Sequence, residues 1–96
     1  MDLLVAYDIS TEDLAGERRL QRVAKVCEQY GVRVQKSVFE ARLSATQLER
    51  LINDLLEVIV PRSDSVRIYR LNAPVSEARI TLGQGMDWGI DQDWIF

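Results

Sequence analysis

The chain has 96 residues, 47% apolar and 28% charged, the proportions of one folded domain rather than of a disordered tail or a polar linker. Histidine is absent, which excludes imidazole acid–base chemistry, Ser/His/Asp triads and His-ligated zinc. The single cysteine, Cys27, excludes an internal disulfide and a Cys-rich metal site, and a reduced, cytoplasmic setting is the expectation.

Leu3–Tyr7 is a short continuous apolar run, the pattern of a strand buried on both faces. It falls far short of the ~20 residues that cross a bilayer, and Met1–Leu4 lacks the positive region of a signal peptide, so no membrane association is expected. The run ends at Asp8, before the loop Ile9–Asp13. From about Ala15 to Tyr30 the period becomes helical, with Leu20, Val23, Ala24, Cys27 and Tyr30 on one stripe and Arg18, Arg22 and Lys25 on another; Gly31 is placed to stop that helix. Cys27 falls on the apolar stripe and reads as core rather than as a reactive thiol.

Residues 32–43 return to strand alternation, but the apolar set changes face between Val38 and Phe39. That predicts a bulge or break near Lys36–Ser37, and hence two short strands or one bent one. Ser44-Ala45-Thr46-Gln47 fits a capping box that opens a second helix, carried by Leu48, Leu51, Ile52, Leu55 and Ile59 and ended by Pro61. Val66–Leu71 alternates as a strand, and Arg79–Leu82 is a further short strand candidate. Beyond it lies a Gly-rich, acidic tail with Trp88 and Trp94.

This order predicts an α+β fold: the ferredoxin-like split β-α-β-β-α-β plan, an antiparallel sheet with two helices on one face and an additional C-terminal strand. Residues 1–72 would form the domain, and 73–96 a C-terminal extension whose strand serves dimer or partner contact.

The formal net charge of −3 conceals a strong asymmetry. Residues 18–42 hold seven Lys/Arg against Glu28 and Glu40, whereas the last ten residues hold Asp87, Asp91 and Asp93 and no base. A polyanion responds to the local field, so Arg18, Arg19, Arg22, Lys25, Arg33 and Lys36 form a candidate nucleic-acid-binding set; the alternative is a solvated helix face. Tyr7 and Phe39 can stack on bases or belong to the core. The Gly-aromatic platform of an RNA recognition motif is missing, as are nucleotide-binding loops.

Asp8 emerges from a buried strand into a loop, where a carboxylate can hold Mg²⁺ or simply cap the turn. Asp2, six residues back at ~3.3 Å each, is too distant to share its ion, and nothing fixes Glu12 or Asp13 beside it. Two copies of the chain facing each other would bring two Asp8 carboxylates to one ion, which requires a homodimer.

Tyr7-Asp8-Ile9, Arg22-Val23-Ala24-Lys25 with Tyr30-Gly31, Arg33-Val34-Gln35-Lys36-Ser37-Val38-Phe39-Glu40 and Asp64–Leu71 together resemble the small CRISPR-associated protein of spacer acquisition, the second of the two near-universal adaptation proteins. The resemblance spans residues 3–71, and the Gln35–Glu40 segment is its most specific part. It implies a ferredoxin-like homodimer whose C-terminal strand, a role suiting Arg79–Leu82, crosses onto the partner's sheet. It implies as partners the CRISPR integrase and duplex prespacer DNA, and a Mg²⁺-dependent endonuclease activity on single-stranded RNA or double-stranded DNA. On that resemblance Asp8 is the metal-binding catalytic carboxylate, and Tyr7, Arg22, Arg33 and Phe39 match positions linked to nuclease function. A second arginine of the family has no clean counterpart, and Arg18 or Arg19 takes its place. Two further readings stand beside the enzyme: a non-catalytic scaffold that fixes prespacer DNA between integrase subunits, and a toxin-type messenger RNA interferase of similar fold.

Overall fold

In the computed structural model, which describes residues 1–83, the order is β1 (Asp2–Asp8), α1 (Leu14–Glu28), β2 (Gly31–Gln35), β3 (Val38–Arg42), α2 (Ala45–Leu56), β4 (Ser65–Arg70) and a short α3 (Val75–Ala78). The four strands form one antiparallel sheet in the order β2-β3-β1-β4, the ferredoxin-like arrangement expected. Among the described residues no helix is long and apolar enough to cross a membrane. The tail with Gln84, Gly85, Asp87, Trp88, Asp91, Asp93 and Trp94 lies outside them.

Strand alternation sorts β1 into two faces. Leu3, Val5 and Tyr7 turn toward the helices and join Val23 and Cys27 of α1 and Leu48, Leu51 and Leu55 of α2 in one core, with Phe39 and Ala41 from β3. Leu4, Ala6 and Asp8 turn to the helix-free side. Cys27 lies in that core, and desolvation pushes its thiol up to about 11, so it is inert at neutral pH.

Each helix begins where a side chain accepts from an otherwise orphaned N–H. Asp13 caps α1 by accepting from Gly16 N at 2.8 Å. In α2, Ser44 Oγ accepts from Gln47 N at 3.2 Å, and Gln47 Oε1 accepts in return from Ser44 N at 2.9 Å, completing the predicted box. Ser44→Ala should therefore cost about 1 kcal/mol, read as a lower urea midpoint at unchanged slope.

Three local expectations are corrected. Gly31 does not stop α1 in a left-handed turn; the helix closes through Gln29, and Gly31 opens β2. Glycine is needed there because a Cβ would stand 2.3 Å from the Glu40 carbonyl oxygen of β3. The α2 helix ends at Leu56, well before Pro61, because the N–H groups of Val58 and Ile59 both turn back to Leu55 O. Arg79–Leu82 forms no strand within the single chain: Ile80 and Leu82 are 89% and 88% exposed, and no neighbouring strand completes a ladder among the described residues. The predicted break in residues 32–43 is present twice over, as a register shift between Arg33 and Gln35 and as the turn at Lys36–Ser37 that separates β2 from β3.

The segment after β4 is fastened onto the helix-free face by two carboxylates. Asp2 Oδ2 accepts from Val75 N at 2.8 Å, and Arg79 Nη1 donates to Glu40 Oε1 at 2.6 Å. Val75 is buried as a result, and so is Glu40.

Candidate nucleic-acid site: one carboxylate and two basic surfaces

The residues singled out from sequence are divided by the sheet. Asp8, the last residue of β1, is exposed on the helix-free side and pairs across the ladder with Ser65 of β4. Four other aspartates among the described residues have fixed structural work: Asp2 accepts from Arg42 and Val75, Asp13 caps α1, Asp54 accepts from Tyr30, and Asp64 receives Arg19. Among these aspartates only the Asp8 side chain has no hydrogen bond or ion pair among the described residues. It does not cap the following turn, and that removes the structural explanation open at the level of sequence.

Tyr7, one residue earlier, points the other way. Its ring stacks on Phe39 with centroids 6.2 Å apart. Arg33, from the neighbouring strand, lies over the Phe39 ring at 5.2 Å and points Nη2 at the Tyr7 hydroxyl, 3.5 Å away. The hydroxyl in turn donates to Lys36 O at 3.3 Å. Desolvation raises the Tyr7 phenol above its usual range against the opposing pull of Arg33, so it remains a protonated donor at neutral pH. Tyr7 and Phe39 are 6% and 1% exposed, so neither offers a ring face for base stacking. Both side chains instead contact Arg33, which register pairing places opposite Phe39.

Beside this cluster lies an open cleft of about 370 Å³, lined by Tyr7, Lys25, Arg33 and Lys36 together with Gln21 and Glu28. Around the α1 surface from it, Arg22 and Lys25 border a second depression of about 420 Å³ toward α2, where Asp54 and Glu57 supply the opposite charge. Arg18 and Arg22 are exposed on the same helix. The structure thus brings Tyr7, Arg33, Phe39, Lys25 and Lys36 together, sets Arg18 and Arg22 along the adjoining helix, and leaves Asp8 on the opposite side of the sheet.

Arg19 differs from the other cations of the set in being engaged within the fold. Its Nε donates to Asp64 Oδ2 at 2.8 Å, and a phosphate would have to compete with that buried carboxylate. Asp64 also accepts from Val60 N at 2.8 Å and from Ser10 N at 3.1 Å, so one side chain ties α1 and the turn before β4 to the loop that follows Asp8. Burial opposes its ionisation, but Arg19 and the two backbone donors outweigh this and hold its pKa below the ordinary carboxylate range. In the sequence Asp64 stood out only as part of a motif; an Asp just before a strand and after Pro61-Arg62-Ser63 was the available signal for a turn-closing carboxylate.

No three His, Cys, Asp or Glu side chains among the described residues converge as metal ligands. At the end of β1 one chain offers a divalent ion the exposed Asp8 carboxylate, without a ready-made ligand cluster around it among the described residues. Mg²⁺ takes one or two carboxylates and otherwise keeps its waters, so the Asp8 carboxylate is of the donor type that would hold it.

Known proteins are similar to this chain in sequence and in fold. Residues 1–78 match the family model described as CRISPR associated protein Cas2. A Moorella thermoacetica protein named CRISPR-associated endoribonuclease Cas2 1 is 51% identical over 77 residues, which is 80% of each chain. A protein from Halalkalibacterium halodurans named CRISPR-associated endonuclease Cas2 is 48% identical over 74% of each. The crystal structure of Streptococcus pyogenes Cas2 superposes with a TM-score of 0.78 at 41% identity, covering 86% of this chain and all of that one. The same polypeptide, with its unpartnered strand-end aspartate and its basic α1 face, belongs to the Cas2 family.

Proposed function

We propose that this chain is a Mg²⁺-dependent endonuclease of CRISPR spacer acquisition, working as a homodimer in which two Asp8 carboxylates share one ion. The observation that carries the reading is the isolation of Asp8: an exposed carboxylate at the end of a buried strand, with no structural partner in a domain whose other described aspartates all have one. The names of the relatives, endoribonuclease and endonuclease, agree with it. Bound at Asp8, Mg²⁺ would supply positive charge for the phosphoryl oxygens as the transition state forms.

The reaction is hydrolysis of a phosphodiester. A water oxygen bonds to phosphorus, the bond from phosphorus to the leaving sugar oxygen breaks, one water proton passes to solvent, and the leaving oxygen acquires a proton. Asp8 orients the site, and the exposed cations hold the strand by its phosphates. Incubation with single-stranded RNA and with duplex DNA tests the proposal. Cleavage of at least one substrate in Mg²⁺ and none in EDTA is the expected result. Equal cleavage in EDTA, or none in either condition, sinks it.

A scaffold role is favoured by one specific observation: the basic set on α1 and β2 lies across the sheet from Asp8, so it is arranged to hold a backbone rather than to serve that carboxylate. In this reading Arg18, Arg22, Lys25, Arg33 and Lys36 bind duplex prespacer DNA beside the integrase. Neutralising Arg18, Arg22 and Lys25 would then weaken duplex binding and reduce its salt slope by roughly one unit for each phosphate left without its cation.

A further inference from the structure

The sequence-derived cations lie on the helix side of the sheet, which leaves Asp8 without a positive neighbour from that set. Strand register identifies one. In the β1–β4 ladder Asp8 stands opposite Ser65, Ala6 opposite Arg67 and Leu4 opposite Tyr69. Since Asp8 and Ala6 share the helix-free face, Ser65, Arg67 and Tyr69 share it with them. Arg67 is the only charged residue on that side of β4, and it is the diagonal neighbour of Asp8, ~7–8 Å away by sheet geometry. An arginine side chain spans that interval.

The other arginines of this face are engaged. Arg42 donates to Asp2 at 2.8 Å and Arg79 to Glu40 at 2.6 Å. Arg67 is exposed, and its side chain has no ion pair or hydrogen bond among the described residues. In the single chain a carboxylate and a guanidinium without side-chain partners thus sit as diagonal neighbours at one end of the helix-free face, apart by more than salt-bridge distance. A gap of that kind suits a phosphate between them, with the guanidinium on one side and, on the other, the carboxylate that would hold the cation.

We propose that Arg67 is a catalytic residue of this site, its guanidinium contacting a non-bridging oxygen of the scissile phosphodiester held at Asp8. The inference rests on the nuclease reading above. It deepens that reading by supplying the anion-binding half of a site whose metal-binding half is Asp8. A contact of this kind strengthens as negative charge gathers on the phosphoryl oxygens, so its removal falls on kcat more than on KM.

The test compares wild type with Arg67→Gln, Arg67→Lys, Asp8→Ala and Arg70→Gln in Mg²⁺-dependent cleavage of the better substrate, with thermal melting as the check on folding. Arg70 follows on the same strand but pairs opposite Leu3, on the helix side, and so controls for removal of one positive charge from β4. Arg67→Gln is expected to lower kcat about 100-fold with a small change in KM. Arg67→Lys should recover part of that activity, because a point charge replaces the fork. Arg70→Gln should remain within about 3-fold of wild type, as a surface charge away from the phosphate. If wild type and Arg67→Gln cleave alike while Asp8→Ala is dead, Arg67 is excluded and the nuclease reading survives. Equal losses in Arg67→Gln and Arg70→Gln also exclude it, since total charge then accounts for the effect. A wild type that does not cleave overturns both the nuclease reading and this inference.

Discussion

Asp8→Ala should reduce Mg²⁺-dependent cleavage by roughly 100-fold or more while leaving the melting temperature where it was. The two halves of this expectation have separate causes. Asp8 is exposed at the end of β1 and its side chain makes no hydrogen bond or ion pair among the described residues, so truncating it breaks no internal side-chain contact; substitutions at such positions stay within about 0.5 kcal/mol. For the reaction, however, it is the proposed metal-binding carboxylate of a chain that has no convergent acidic cluster among its described residues to replace it. Losing the ion's charge stabilisation is worth several kcal/mol, and every 1.36 kcal/mol is about tenfold in rate. Asp8→Asn is the sharper variant, since it keeps the shape and a neutral oxygen ligand. Mg²⁺ titration of its residual cleavage should show a raised half-saturation rather than a lowered melting point. A substantial fall in thermal stability in either variant would mean that Asp8 holds the fold, and the site would have to be sought elsewhere.

The division of the site by the sheet follows from residues that a linear reading places side by side. Tyr7 and Asp8 are adjacent in the chain, and alternation alone sends them to opposite faces. The core stripe of α1, the capping box at Ser44 and the break near Lys36 are legible in the sequence because each depends on local spacing, and each is found in place. Phe39 is open in the sequence between base stacking and core because burial is a property of the assembled layers; packing against Tyr7 and beneath Arg33 decides for the core. Arg19 and Arg18 are neighbours with the same chemistry, and only the fold shows that Arg19 meets a carboxylate 45 residues away. Arg67 carries no local signal at all, for its relation to Asp8 exists only in the register between β1 and β4. The strand expected at Arg79–Leu82 has the composition of one, but a strand needs an edge to pair with, and in the single chain Ile80 and Leu82 meet solvent.

The largest fall in stability should come from Asp64→Ala, about 3 kcal/mol in urea unfolding. Its side chain is wholly buried, Arg19 opposite is 17% exposed, and removing one member of a buried pair leaves the other charge without compensation. The same substitution orphans the N–H groups of Val60 and Ser10, which adds a desolvation cost for each that water does not reach. Arg19→Ala should cost less, because Asp64 would still hold its two backbone donors. Replacing both residues by apolar ones should cost less than the sum of the single substitutions, so a double-mutant cycle reads the coupling directly. The pH dependence follows from the sign of the shift. The folded-state pKa of Asp64 is depressed, so its contribution is complete above the unfolded carboxylate value of about 4 and fades as pH falls from there toward the folded value. Asp2, depressed chiefly by its hydrogen bond from Arg42, adds to the same acid limb. Asp64→Asn should therefore flatten the decline of stability below about pH 4 while lowering the neutral-pH plateau. Because Asp64 also holds Ser10, two residues beyond Asp8, cleavage in this variant should fall even at temperatures where it is fully folded. Full activity there would show that the loop after β1 needs no such anchor, leaving Asp64 a purely structural role.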